Sequence, residues 1–270
     1  LLHCSHNQIV RLENLPPTLQ KLWCYNNQLI SLDNLPPNLQ ILYCDNNQLT
    51  SLDNLPSNLQ KLYCKNNQLT RLGGAESAFG TSLDNLPLTL QTLVCSFNQL
   101  TSLDNLPPNL QDLSCNNNQL TSLENLPPNL QELSCNNNQL TSLENLPPNL
   151  QELWCNNNQL TRLGFRNDRL ESAFGTSLNN IPPNLQTLNC SNNQLTFLDN
   201  LSATLQKLWC SNNQLTSLDI LPHTLQDFNC KNNPVYTTCK ELYGFELSEK
   251  TIEQYNEIKR LEKECCPLLK

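Results

Sequence analysis

Cysteine recurs in this chain at a fixed interval: Cys4, Cys24, Cys44 and Cys64, then Cys95, Cys115, Cys135 and Cys155, then Cys190, Cys210 and Cys230. The step is 20 residues throughout, apart from two that are longer by 11 and by 15. Repeats grow along a line, so a sequence of this kind must stack similar units into an extended spine and cannot collapse around one central core. Eleven units are present, the first truncated. Apolar content of 38% would be low for a conventional domain of 270 residues, but here most of it is Leu in strict phase.

Counting from Cys24, Leu falls at Leu19, Leu22, Leu29, Leu32 and Leu35, and the same offsets return in nearly every unit with rare Ile or Phe replacements. The segment "LQKLWCYNN" alternates, with Leu22 and Cys24 on one side and Lys21, Trp23 and Tyr25 on the other, which is the period of a strand. The remainder, "QLTSLDNLPPN", holds prolines, Asn and Asp that exclude a regular helix and predict turns with polyproline-like backbone. One unit cannot bury its own leucines. The units must therefore stack, each strand pairing in parallel with the next.

The pattern Leu-x-x-Leu-x-Cys-x-x-Asn-x-Leu, written here as "LQKLWCYNNQL", resembles the leucine-rich repeat motif. The twenty-residue unit with "LPPNL" is similar to the short Leu-Pro class of bacterial secreted effectors, and similar Asn-rich units occur in giant-virus proteins. The resemblance covers residues 1 to about 235 and implies a repeat solenoid of α/β leucine-rich-repeat type. One face is then a parallel β-sheet, and the other is turns and polyproline-like segments. It departs in one respect, since the third strand position is Cys throughout. Effector ligases of that family carry a separate catalytic domain, for which the remaining 35 or so residues are too few. In the family, the side chain at Asn27, Asn47, Asn67, Asn98, Asn118, Asn138, Asn158, Asn193, Asn213 and Asn233 turns inward and bonds backbone groups of its own and adjacent coils. A buried strand end needs such a group, because an amide both donates and accepts.

The expected division is a solenoid over 1–235, with insertions at 71–81 and 162–176, and a C-terminal helical cap over 236–270. Both insertions end in "ESAFGTSL", which makes Phe79 and Phe174 matching loop residues. Ser248 is a helix N-cap signal, followed by Ile252, Tyr255, Ile258 and Leu261 as the face that seals the last coil.

The ladder cysteines are expected to be free, apolar fillers, since thiols on adjacent parallel strands point the same way and no metal-type pair spacing occurs. Many free thiols imply a reducing, intracellular compartment. Cys239, Cys265 and Cys266 lie outside the ladder, where a disulfide within the cap stays open. Glu13, Asp33, Asp53, Asp84, Asp104, Glu124, Glu144, Asp199 and Asp219 share one phase, about 5 Å apart if the coils stack at strand spacing. They read as local backbone caps, with a cation-binding row as the alternative. No metal or other cofactor is expected.

A net charge of -8 and a pI near 4.9 oppose a general polyanion binder, and no run has the length and apolarity of a membrane helix. The opening "LLHCSHNQIV" has no leader pattern, but the chain has no Met and opens within a repeat, so the native N-terminus is expected to lie outside it. Histidines at 3, 6 and 223 assemble no nucleophile with its base, and with six glycines no phosphate loop appears. No catalytic residues are expected.

The outward strand positions vary from copy to copy while the inward ones do not. Trp23, Trp154 and Trp209 share the outward phase just before Cys, as do Tyr43 and Tyr63. With Tyr25, Lys21, Lys61 and Lys65 they make the candidate partner-binding face, aromatics beside mixed charge. The leading expectation is a non-catalytic module that binds an unknown protein partner there, with no nucleic acid or membrane partner. Glycan binding and the substrate-recognition arm of a longer effector enzyme are the alternatives. Rings that merely cover neighbouring rings are the structural explanation of the same pattern.

Overall fold

The computed structural model describes residues 1–72, 86–163 and 181–265. The first of two compact units, Leu1–Gln139, holds strands β1 (Leu2–His3), β2 (Lys21–Trp23), β3 (Ile41–Tyr43), β4 (Lys61–Tyr63), β5 (Thr92–Val94), β6 (Asp112–Ser114) and β7 (Glu132–Ser134). The second, Leu140–Lys270, holds β8 (Ser142–Leu143), β9 (Glu152–Trp154), β10 (Arg162–Leu163), β11 (Thr187–Asn189), β12 (Lys207–Trp209) and β13 (Asp227–Asn229). Helices α1 (Pro234–Leu242) and α2 (Ile252–Cys265) follow, with a 3-10 turn, Glu249–Thr251, leading into α2.

The architecture is the expected solenoid of stacked coils with parallel strands and a helical C-terminal end. Within the first unit each strand pairs in parallel with the next, and the central leucines meet in register: Leu22 with Leu42, Leu42 with Leu62, Leu93 with Leu113. Register survives the longer steps. Leu62 pairs with Leu93 and, in the second unit, Leu153 with Leu188, as if nothing had been inserted. The insertions themselves, with Phe79 and Phe174, lie outside the described residues. β8 and β10 form a separate parallel pair in the second unit, on a part of the coil expected to hold turns and polyproline-like segments.

Leucines at four of the five offsets are buried, as Leu39, Leu42, Leu49 and Leu52 illustrate. Each contributes roughly 1.5–3 kcal/mol by leaving water. The fifth row is mixed: Leu35, Leu55, Leu106 and Leu126 are only half-buried, with the proline that follows taking the inner place at Pro36, Pro56, Pro107 and Pro127, whereas Leu86, Leu146, Ile181 and Leu221 are buried. That proline opens a tight turn, its carbonyl accepting from the amide three residues on, as in Leu39 N–H to Pro36 O at 3.1 Å. The asparagine inside the turn ties coils together, Asn38 donating to Pro17 O and Asn58 to Pro37 O.

The last coil is closed from above. Tyr255 Oη accepts from Leu218 N–H at 3.0 Å and donates to Leu218 O at 2.7 Å. Asn256 treats Leu221 the same way, with both bonds at 2.8 Å. Together they supply what a further coil would have supplied. Ser248 precedes the turn into α2 as expected, its N–H donating to Thr251 Oγ1. Leu261 does not face the coil and is 50% exposed, while Ile258 is half-buried. α1 was not foreseen. It starts at Pro234, which needs no amide donor at the first helical position.

Candidate partner-binding face

The side chains that leave the sheet do so because strand residues alternate, so the positions flanking each buried Leu point outward. In the first unit this places Trp23, Tyr43 and Tyr63 in adjacent register on β2, β3 and β4. Trp23 meets Tyr43 edge-on with centroids 6.1 Å apart, and Tyr43 stacks on Tyr63 at 4.2 Å with planes 5° apart. His3 closes the row, 5.2 Å from Trp23 and edge-on. All three aromatics are half-buried, so much of the ring surface is spent on neighbouring rings while the rest faces solvent. Desolvation first, and the Tyr43 hydroxyl second, push the Tyr63 phenol up to about 12, so it stays a neutral donor.

Lys21 and Lys61 flank the row on one side, at the strand position two before the ring. Lys65 lies on the other side with Tyr25 and Asp45. Asp45 belongs to a further device, in which a side-chain oxygen just past the strand accepts the same-position amide of the next coil. Asp45 Oδ1 takes Lys65 N–H at 2.8 Å, Ser96 Oγ takes Asn116 N–H, and Asn116 Oδ1 takes Asn136 N–H. Burial raises the Asp45 carboxyl above its ordinary value, against the lowering effect of that amide.

Trp154 and Trp209 form a second group in the second unit, their rings 5.3 Å apart and tilted. Each indole N–H has a carboxylate, Trp154 at Glu152 (3.2 Å) and Trp209 at Asp227 (3.0 Å). Trp23 Nε1, by contrast, is buried with no hydrogen-bond partner among the described residues.

The core rows match their assigned roles. Asn138 Nδ2 donates to Cys115 O and Cys135 O, both at 3.1 Å, and Asn138 Oδ1 accepts from Leu120 N–H. Cys24 Sγ donates to Tyr43 O at 3.4 Å, the carbonyl that Cys24 N–H already uses, and Cys44 and Cys64 repeat the arrangement one coil on. That second, weak donor is what Cys adds over another aliphatic filler. The ladder thiols and Cys239 are free, while the side chains of Cys265 and Cys266 fall outside the described residues. The acidic row makes side-chain contacts, Asp33 accepting from Ser31, Asp53 from Ser51 and Asp104 from Ser102, with Glu144 paired to Arg162 at 2.8 Å. Among the described residues no group of three or more His, Cys, Asp or Glu is placed to hold a metal ion, and no helix is long and apolar enough to cross a membrane.

Phe97 was missed by the sequence reading. In every other unit the second residue after Cys is Asn, or His6 in the first, and the structure puts that residue in the left-handed region throughout. The in-phase comparison that found the aromatic row would have singled out Phe97 as well.

A family profile described as Leucine Rich repeats (2 copies) matches residues 17–57, 57–108, 88–128, 108–148, 128–168 and 183–223. Among solved structures, YopM from Yersinia enterocolitica WA-314 is similar with a TM-score of 0.73 and 36% identity, over 84% of this chain and 45% of that one. A Shigella effector LRR domain is similar at 30% identity and a TM-score of 0.53, over 66% of this chain and 71% of that one. The functional domain of InlJ from Listeria monocytogenes, which includes a cysteine ladder, has a TM-score of 0.58 and 26% identity, over 80% of this chain and 49% of that one. The chain thus spans less than half the length of the YopM and InlJ chains. No curated protein sequence matches it.

Proposed function

From the premise that this chain belongs to the leucine-rich repeat family, we propose that it is a non-catalytic protein-interaction module whose partner docks on the sheet face of the first unit. One observation carries the reading. The inward Leu, Cys and Asn are constant from coil to coil, whereas the outward positions change and gather Trp23, Tyr43 and Tyr63 into one half-exposed row between lysines. Packing alone would reward the same outward residue in every coil. Half-exposed aromatics that are already held by neighbouring rings lose little side-chain freedom on binding, which favours them as anchors.

Replacing Trp23, Tyr43 and Tyr63 together by Ala tests the site, because the row contributes nothing to the Leu spine. The expected result is loss of partner capture by a chain that still folds cooperatively, its unfolding midpoint lowered only by the lost ring–ring contacts. Retained capture moves the site elsewhere. The recognition arm of a longer effector enzyme is a second reading, which a longer reading frame with a catalytic domain would establish. Glycan binding competes through the stacked Tyr43 and Tyr63 rings, and a glycan array separates it from protein binding. A reducing compartment belongs to the same proposal, supported by the row of free thiols.

A further inference from the structure

Phe97 sits at φ 56°, a backbone region that a Cβ-bearing aromatic side chain enters only under strain. At its sister positions Asn26, Asn46, Asn66, Asn117 and Asn137 the residue tolerates that conformation and can also bond along the row, as Asn66 Nδ2 does to Asn46 Oδ1 at 2.7 Å. Phe97 can make no such bond. Nor does its ring enter the spine, since the residue is 46% exposed. What it does is stand one coil beyond Tyr63, three residues past Val94, the strand partner of Tyr63, with Lys65 Nζ 5.0 Å from its ring centroid. Strain retained for no more than this surface contact marks a residue kept for its exposed ring.

Resting on the docking-face reading above, we propose that Phe97 and Lys65 form the far end of that face and that its occupant is an acidic peptide segment carrying an apolar or aromatic anchor. Three ammonium groups, Lys21, Lys61 and Lys65, surround the rings on a chain whose net charge is -8, so this patch opposes the field of the rest. Its carboxylates are both engaged: Asp45 is turned to the Lys65 amide, and Asp112, two strands on from Lys61, accepts from Thr92 Oγ1 at 3.0 Å. Carboxylates of the segment pair with the lysines, and its anchor lies against Tyr63 and Phe97. A nucleic acid strand fits less well. Its continuous phosphates would run from the lysines onto Asp112 and Glu132, which hold the same strand position on β6 and β7.

A random dodecapeptide library displayed on phage, panned against the full chain, tests this. The expected enrichment is in sequences with Asp or Glu flanking an aromatic residue or Leu. A synthetic peptide from that pool should bind about tenfold more weakly to Phe97→Asn, and likewise to Lys61→Glu with Lys65→Glu. Phe97→Asn restores the residue that its turn prefers, so it should melt at the same or a higher temperature, and weaker binding then owes nothing to unfolding. Neutral or basic enrichment, no enrichment, full binding by Phe97→Asn, or tighter binding of an oligouridine 12-mer overturns the inference. If binding is lost in the Trp23, Tyr43 and Tyr63 triple variant but kept in Phe97→Asn, only this inference falls. If it survives the triple variant, the docking face falls too.

Discussion

Asparagine recurs along the coils for three different purposes, and each follows from a short side-chain amide. Asn138 satisfies buried backbone groups, Asn137 and Asn145 adopt left-handed turns, and Asn129 bridges to the carbonyl of Pro108. Glycine would enter the same turns but would leave the unfolded chain freer and bring no hydrogen bond. Asn138→Ala leaves Leu120 N–H, Cys115 O and Cys135 O without their side-chain partner. The expected loss is about 1–3 kcal/mol, read as a lower urea midpoint at unchanged slope. Asp45 makes the opposite case. Its folded carboxyl is raised above the ordinary 3.8 by burial, so the folded state holds the proton more tightly than the unfolded chain. The stability this confers is fully present below the unfolded value and is lost as pH rises through the folded one. Asp45→Asn keeps an acceptor for Lys65 N–H, as Asn116 does for Asn136, and removes the buried charge. Its melting temperature should exceed that of the parent chain at pH 7, with the gap closing toward pH 3.

Strands of three residues have no stability of their own, so every element here depends on the one beside it, and the last depends on α2. Tyr255→Phe keeps the ring packed but leaves Leu218 N–H and C=O without a partner. The expected cost is about 1–3 kcal/mol, with faster amide exchange at Leu218 and Leu221 than in the central coils. The strands, their register, the Asn ladder and the start at Ser248 were legible in the sequence, because each is a repeated or local signal. The inner face of α2 was not fully legible. Reading Ile252, Tyr255, Ile258 and Leu261 as one stripe uses a spacing of three, and at 3.6 residues per turn nine residues bring Leu261 about 180° from Ile252. The packed stripe is Ile252, Tyr255 and Asn256, with a buried polar residue that hydrophobic periodicity does not flag. Pro234 concealed α1 because proline ends a repeat pattern as readily as it starts a helix. On the docking face, the phase of Trp23, Tyr43 and Tyr63 was readable, whereas the significance of Phe97 required its backbone angle.

At the scale of the whole molecule, the cysteine row is a set of evenly placed reporters, one to a coil. Burial is the leading cause that holds Cys44, Cys64, Cys115 and Cys210 well above the usual thiol range, and it pushes Cys95, Cys135, Cys190 and Cys230 up to about 12. Alkylation needs an exposed thiolate, so a ladder thiol reacts only when its coil opens. Cys4 is the exception, since it is half-exposed and carries a smaller burden of burial. In a repeat array each coil is stabilised mainly by its neighbours, so opening should begin where a neighbour is missing and be slowest in the interior. Native-state iodoacetamide labelling resolved by peptide mass spectrometry should therefore modify Cys4 first, the interior thiols slowly, and all of them promptly in guanidinium. Tyr255→Phe should hasten labelling of Cys230 and Cys210 while leaving that of Cys44 and Cys64 unchanged, because a loosened cap exposes only the coils next to it. Uniform acceleration across the row in that variant would mean that the coils open together, and the linear, neighbour-by-neighbour account of stability would have to be abandoned.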